Sequence, residues 1–167
     1  MRIPVVDLVA EAETLPEEWA LVLFDRALAQ RRCTSQELIA ATRQSSERLQ
    51  WLAVIADPRV ASTAESLLRR AWYRGDLPTP SIGHRLRTPA GPLALVCATG
   101  YHRFAVCLEA TPDQVSWVRQ RGWRVLVFSD AKVRDSSSVD LAAYIRAEHL
   151  HHLATVGVDR HETRRIA

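Results

Sequence analysis

Two histidines near the end of this 167-residue sequence are spaced so that they could hold a metal ion. His149 and His152 lie three residues apart, which places them on one face of a helix, and imidazole nitrogens are common ligands of zinc. Zinc sites use at least three protein ligands, and no third ligand of known position accompanies the pair. The spacing therefore favours a solvated helix end over a metal site.

Two glutamates carry carboxylates of the kind that bind Mg²⁺. Glu65 follows Ser62 by three residues, which is the spacing of a helix capping box, and capping is favoured over metal binding for it. Glu109 ends an apolar stretch just before a predicted helix, whose N-terminal dipole stabilises a carboxylate. For Glu109, this electrostatic role and a role as a metal ligand both remain open.

The first half of the chain predicts helices, because apolar residues recur there at three- and four-residue spacing. A capping box from Thr34 to Glu37 marks one helix start, and the Asp57-Pro58 step ends another. The predicted helices span residues 16–30, 34–44, 46–55 and 62–75.

The second half predicts short strands divided by turn residues, followed by a helix, a strand and a final helix. Three strands at 82–86, 93–97 and 104–108 form an antiparallel meander. A capping box from Thr111 to Gln114 opens the next helix, and the strand at 123–128 then runs parallel to the strand before that helix. A final helix opens at Ser137 and continues to about Leu153. This order predicts an α+β fold with a mixed sheet. The predicted segments are a helical segment (1–56), an α/β core (57–154) and a frayed tail (155–167).

Composition excludes several classes of protein. Hydrophobic residues make up 47% and charged residues 25% of the chain, as in ordinary globular proteins. No apolar run approaches the roughly 20 residues of a membrane helix, and the acidic start lacks a signal-peptide pattern. Three cysteines without CxxC spacing argue against a disulfide framework and a zinc ribbon. We expect a cytoplasmic protein, with Cys97 and Cys107 packed in its core.

Charge is distributed unevenly within the net total of +3. Residues 1–30 hold six acids against two arginines, whereas residues 31–75 hold eight arginines against four acids. Blocks of opposite sign predict that these segments contact each other or a protein partner, which includes a second copy of this chain.

Four stretches of the sequence occur in the order found in a known family of proteins. The stretches are residues 56–69, 75–80, 103–109 and 122–128. Together they resemble the very-short-patch-repair branch of the PD-(D/E)XK nuclease superfamily, as found in a bacterial domain of unknown function in AbiEi-like antitoxins and transcriptional regulators. The resemblance implies a restriction-endonuclease-like core, with the element order α-β-β-β-α-β-α.

The resemblance also implies a set of metal-binding positions. In the family, an acid on the first helix, an aspartate on the second strand and a pair of residues on the third strand hold Mg²⁺, which activates water for phosphodiester hydrolysis. The matching positions here are Glu65, Val96, Cys107 and Glu109, so two of the four lack an acid. Alternation along a strand places Cys107 and Glu109 on one face, and we expect them to share a pocket with Val96 beside the helix of Glu65.

These losses predict a pseudoenzyme that acts as a regulatory or interaction module, antitoxin-like in its role, without a cofactor. The alternative is a Mg²⁺-dependent DNA endonuclease whose ligands have migrated to Glu65, Glu109 and Asp113. Weak, non-specific DNA binding through arginines is also expected, although the same arginines could be a solvated sheet face. The arginines in question are Arg85, Arg87, Arg119 and Arg121.

Overall fold

The computed structural model describes residues 4–60 and 62–165, with side chains up to residue 156. The fold is α+β, as predicted: the described residues form eight helices, a mixed four-stranded sheet and a two-stranded hairpin. The chain divides into two compact units, Met1–Arg70 and Ala71–Ala167. Their boundary lies inside one helix, α5 (Thr63–Arg74).

The first unit is helical. Its core is formed by apolar side chains that recur along each helix, among them Leu8, Phe24, Leu38 and Leu52, all buried. The other helices of this unit are α1 (Val5–Thr14), α2 (Glu17–Ala29), α3 (Ser35–Thr42) and α4 (Glu47–Ile55). Helix α1 was not predicted, although Leu8, Val9 and Ala12 repeat at helical spacing and are buried.

Capping residues open two of these helices where the sequence places them. At the start of α3, the Thr34 hydroxyl accepts a hydrogen bond from the Glu37 amide, and the Glu37 carboxylate accepts one from the Thr34 amide. Ser62 accepts from the amide of Glu65 at the start of α5. Each bond satisfies an amide that lacks a partner within the helix.

The second unit contains the sheet. Its strand order is β1-β4-β5-β6, with β5 and β6 parallel, as predicted, and the other pairs antiparallel. Strands β2 and β3 form a separate antiparallel hairpin. The strands are β1 (Ser81–Ile82), β2 (Arg85–Thr88), β3 (Gly91–Ala94), β4 (Cys97–Thr99), β5 (Phe104–Leu108) and β6 (Arg124–Phe128).

The predicted three-stranded meander is therefore five strands in two sheets. Gly83 has a φ of +66°, a conformation that breaks the extended chain between β1 and β2. Gly91 has a φ of +101° at the turn that joins β2 to β3. Gly83 thus divides the first predicted strand, whereas Gly91 lies between the first and second predicted strands.

Three helices complete the second unit. Helix α6 (Pro112–Arg119) opens with both halves of the predicted capping box, and α7 (Asp130–Asp135), which was not predicted, is capped by Ser129. Helix α8 (Ser138–Arg165) continues past the predicted end near Leu153, and residues 166 and 167 of the predicted tail lie outside the described residues. No helix in the described part of the chain has the length and apolarity required to cross a membrane.

The two cysteines of the sheet lie on opposite faces of it. Cys97 pairs with Val106, and Cys107 is one residue further along β5, so the alternation of strand side chains turns them apart. Cys107 packs in a cluster with Ala105, Val118 and Val125, on the face that α6 covers. Both cysteines are buried, in keeping with the predicted packing role.

Candidate functional site

Glu109 lies at the carboxyl end of β5, immediately after the last paired residue of the strand. Its amide donates to the carbonyl oxygen of Phe128 at 3.3 Å, which adds one hydrogen bond between the ends of β5 and β6. The backbone of Glu109 has a φ of +61°, a left-handed conformation that is uncommon outside glycine, asparagine and aspartate. The chain therefore turns sharply at Glu109, and its side chain is exposed to solvent.

A cavity of about 470 Å³ opens beside Glu109 at the carboxyl ends of β5 and β6. In sheets with parallel strands, ligands commonly bind outside these ends. Hydroxyls of Thr111 and Ser129, which cap α6 and α7, face the same region, so Glu109 supplies the acidic group and the caps supply neutral polar groups. The full lining is Glu109, Ala110, Thr111, Gln114, Val127, Phe128 and Ser129.

The pocket that was predicted to contain Cys107, Val96 and Glu109 together is not the cavity at Glu109. Cys107 is fully buried in the apolar cluster under α6, and Val96 is 7% exposed just before β4. Strand alternation does not carry Cys107 and Glu109 to one face, because β5 ends at Leu108 and the backbone of Glu109 is left-handed. Burial also raises the pKa of the Cys107 thiol to about 12, so it stays protonated at neutral pH.

Glu65 occupies the first turn of α5, where it is half-buried. It belongs to the unit Met1–Arg70, whereas Glu109 belongs to Ala71–Ala167. Asp113, the further acid of the endonuclease alternative, is exposed in the first turn of α6. Within the described part of the chain, no group of three or more histidine, cysteine, aspartate or glutamate side chains is arranged to hold a metal ion.

The four candidate nucleic-acid-binding arginines are all exposed in the second unit. Arg85 and Arg87 alternate with the half-buried Leu86 along β2, so they point to the open side of the hairpin. Arg119 and Arg121 lie at the C-terminal end of α6, where the helix dipole favours a cation. Helix α6 packs against β2, so both pairs belong to one region.

Arg121 is held in place by its neighbours. Its guanidinium lies 3.5 Å from the centre of the Trp117 ring and donates to the Trp117 carbonyl oxygen at 3.2 Å. Arg103 donates to the carbonyl oxygen of Arg121 at 3.0 Å, which brings a further cation to this corner. A guanidinium stacked on an indole keeps its outward edge available to a phosphate.

A buried ionic cluster in the first unit was missed by the sequence analysis. Asp25 is 1% exposed and accepts hydrogen bonds from Arg69 at 3.1 Å, from Ser66 at 2.7 Å and from the Asp57 amide at 2.8 Å. Arg69 also donates to the Ile55 carbonyl oxygen. Burial raises the pKa of Asp25, and Arg69 and the amide of Asp57 oppose that rise. The partners of Asp25 are 32 to 44 residues away in sequence, so local spacing arguments do not detect this cluster.

The opposite charges of the first two segments pair inside the first unit. Arg69 binds Asp25 at 3.1 Å, and Arg70 binds Glu17 at 2.7 Å. Arg48 lies 3.6 Å from Glu13. These charges hold helices of one chain to each other. The two segments therefore contact each other, which is the first of the two alternatives that the charge blocks predict.

The prediction of a solvated helix end is wrong for His149, which is 6% exposed. Its Nε2 lies 2.9 Å from Nδ1 of His102, a residue of the turn between β4 and β5. Only the tertiary fold brings these rings together, since 47 residues separate them in sequence.

Comparison of the chain with protein-family models, with curated proteins and with solved structures gives no match.

Proposed function

We propose that the chain is a catalytically degenerate relative of the PD-(D/E)XK nucleases that acts as a regulatory or interaction module, antitoxin-like in its role. The order of elements supports this proposal. A helix, α5, is followed by three antiparallel strands, β1, β4 and β5, then by α6 and the parallel strand β6. That is the α-β-β-β-α-β order expected from the resemblance, with the β2–β3 hairpin inserted after the first strand.

The observation that carries the loss of catalysis is Cys107. It stands on β5 where the family places an acid, and its side chain is fully buried among apolar residues. A protonated thiol in that position is not a Mg²⁺ ligand, because Mg²⁺ takes oxygen ligands. A Mg²⁺ ion also cannot reach the buried thiol, because the ion keeps several of its waters. The side chain of Val96, at the aspartate position, offers no ligand atom. Metal activation of water supplies several kcal/mol to hydrolysis, so its loss costs about a thousandfold or more in rate.

A plasmid-nicking assay in Mn²⁺ tests this proposal directly. We expect no nicked or linear product at high protein concentration, and an equal background for the wild type and for Glu109→Ala. The rival function is a working endonuclease that uses Glu65, Glu109 and Asp113. Product formation that Glu109→Ala abolishes would establish the rival and overturn the proposal.

Nucleic-acid binding in this proposal is weak and independent of sequence. It rests on exposed arginines around α6 and β2, which can follow a phosphate backbone, while no described helix presents clustered basic and amide side chains for reading bases. The proposed regulatory role is therefore exerted mainly through binding to a protein partner or through self-association.

Fluorescence anisotropy with a short DNA duplex measures this binding. We expect micromolar or weaker affinity that falls steeply with salt. The logarithm of the binding constant falls linearly with the logarithm of the salt concentration. Replacing both Arg119 and Arg121 by alanine should reduce the steepness of this line by about 0.9 for each phosphate that the variant no longer neutralises. The matched control is Arg134→Ala, which removes an exposed arginine paired with Asp130. Nanomolar, sequence-dependent binding at physiological salt would contradict the proposal.

A further inference from the structure

Three histidines meet where the turn at 100–103 touches helix α8. Nδ1 of His102, in the turn, lies 2.9 Å from Nε2 of His149 on α8. Nε2 of His152, one helical turn further along α8, lies 2.8 Å from the carbonyl oxygen of His102. These two hydrogen bonds join the turn to the helix, and both depend on imidazole nitrogens.

Apolar rings enclose the inner end of this histidine cluster. The ring centre of His149 is 5.0 Å from that of Phe104 in an edge-on arrangement, and Phe104 in turn lies 5.8 Å from Trp72. His149 is 6% exposed, whereas His102 is half-buried and nearer to water. A charge on His149 is therefore less well solvated than a charge on His102.

The charged and titratable groups around His149 come from three elements. His102 from the turn and His152 from α8 face it, and both disfavour its charged form when they are themselves protonated. Arg124 on β6 is paired with Glu148 of α8. In the turn, Arg103 donates to the Arg121 carbonyl oxygen, and Tyr101 makes a ring contact with His102 at 5.2 Å.

The number of protons on the rings decides whether both hydrogen bonds can exist. A carbonyl oxygen only accepts, so Nε2 of His152 carries a proton, and this bond survives whether His152 is neutral or charged. The bond between His102 and His149 needs one proton between its two nitrogens. A first added proton can go to Nε2 of His102, which leaves His102 as a charged donor to neutral His149.

A second added proton has no such place. It must enter Nε2 of His149, so that two N–H groups and two positive rings then face each other across 2.9 Å. The hydrogen bond is lost, and like charges repel in a partly buried site.

From this geometry we propose that His102 and His149 form a proton-counting clasp, which holds the turn at 100–103 on α8 while at most one of the two rings is charged and releases it when both are. The released segment is the one that carries Tyr101, which is 87% exposed, and Arg103. The clasp is a conformational switch that added protons open, and it does not depend on the proposed nuclease ancestry.

The direction of the pH effect follows from His149. Burial lowers its pKa below the ordinary value of 6.5, and the charges of His102 and His152 lower it further. The unfolded chain therefore binds this proton more readily than the folded chain does. The clasp contributes its full stability above pH 6.5, and this contribution is lost as the pH falls through the lowered pKa of folded His149.

NMR titration of the full chain, with a chelator present to keep metal ions off the imidazoles, tests the clasp. We expect the His149 ring to titrate below pH 6.5. Backbone amide signals of Tyr101 and Arg103 should shift with the His149 midpoint. In His149→Gln, the glutamine side chain can replace Nε2 without taking a proton. The backbone amide signals of Tyr101 and Arg103 should then no longer shift at the pH of the wild-type His149 midpoint.

Two further variants make the result decisive. His102→Asn also removes the pair of chargeable rings and should abolish the shift, which keeps the test available if His149→Gln does not fold. His151→Gln changes an exposed histidine of the same helix and should leave the shift unchanged. The proposal is overturned if the turn amides follow the His102 midpoint alone, if their shift persists in either clasp variant, or if His149 titrates at or above pH 6.5.

Discussion

Among single residues, Asp25 shows how strongly one side chain can hold the helical unit. Its carboxylate lies in the interior, with Arg69, Ser66 and the Asp57 amide as donors, so three parts of the unit meet at one charge. Removing one partner of a buried ion pair leaves the other charge uncompensated, which costs more than the pair itself contributes.

We expect Asp25→Ala to lower the free energy of unfolding by about 3–5 kcal/mol, because Arg69 would stay buried without its carboxylate. Urea denaturation measures the change. Glu11→Ala, at an exposed position of α1, is the control and should change stability by no more than about 0.5 kcal/mol. A decrease below about 1 kcal/mol in Asp25→Ala would mean that Arg69 reaches water when the carboxylate is gone.

Cys107 should be inert in the folded protein. Thiolate, not thiol, reacts with alkylating agents, and burial holds the Cys107 pKa at about 12. We expect native protein treated with iodoacetamide near neutral pH to keep Cys107 unmodified by mass spectrometry, and protein in concentrated urea to be alkylated there. Rapid modification of Cys107 in the native state would show that its side chain reaches solvent. The burial from which the loss of the metal site is argued would then be contradicted.

At the scale of elements, the N-terminus of α6 is held by its own capping box and by a contact with β3. The Thr111 hydroxyl accepts a hydrogen bond from the Gln114 backbone amide at 3.2 Å, and the Gln114 side-chain oxygen accepts one from the Thr111 backbone amide at 3.0 Å. The Gln114 side-chain nitrogen also donates to the carbonyl oxygens of Gly91 and Pro92 at 3.4 Å. The same glutamine thus caps α6 and contacts β3.

Thr111→Ala should destabilise the protein by about 1 kcal/mol, because the Gln114 backbone amide loses its acceptor. Thermal unfolding of the variant measures this effect. Ser116→Ala, on the exposed side of the same helix, should be neutral or slightly stabilising, since alanine has the higher helix propensity. Equal effects of the two substitutions would show that the cap contributes nothing beyond helix propensity.

The elements that could be predicted are those whose signals are local. Capping boxes at Thr34 and Thr111 located two helix starts, and apolar alternation located β5 and β6. Local patterns did not reveal the division of the meander at Gly83, because glycine is compatible with both a strand and a break.

The candidate site was less predictable than the elements around it. Strand alternation predicts that Glu109 and Cys107 share a face of the sheet, but the left-handed backbone at Glu109 ends this alternation. A sequence carries no signal for a positive φ at a glutamate. The partners of Asp25 and of His149 are more than 30 residues away in sequence, so only the tertiary fold brings them together.

At the scale of the whole molecule, acidic candidates are divided between two compact units. Glu65 belongs to Met1–Arg70 and Glu109 to Ala71–Ala167, while the positions between them in the family pattern hold Val96 and Cys107. Because Cys107 is buried in an apolar cluster and Glu109 is exposed, acids at those two positions should not by themselves restore a cation site. The Val96→Asp, Cys107→Glu variant should lose stability whether or not Mn²⁺ is present, because a carboxylate is then buried without a partner.

Calorimetric titration of Mn²⁺ into the wild-type protein tests the loss of the metal site most directly, and it does not require the double variant to fold. Glu109→Ala is measured beside the wild type as the matched control. The proposed degeneracy predicts no saturable binding in the micromolar range and no difference between the two proteins. Tight, saturable binding by the wild type that Glu109→Ala abolishes would contradict it.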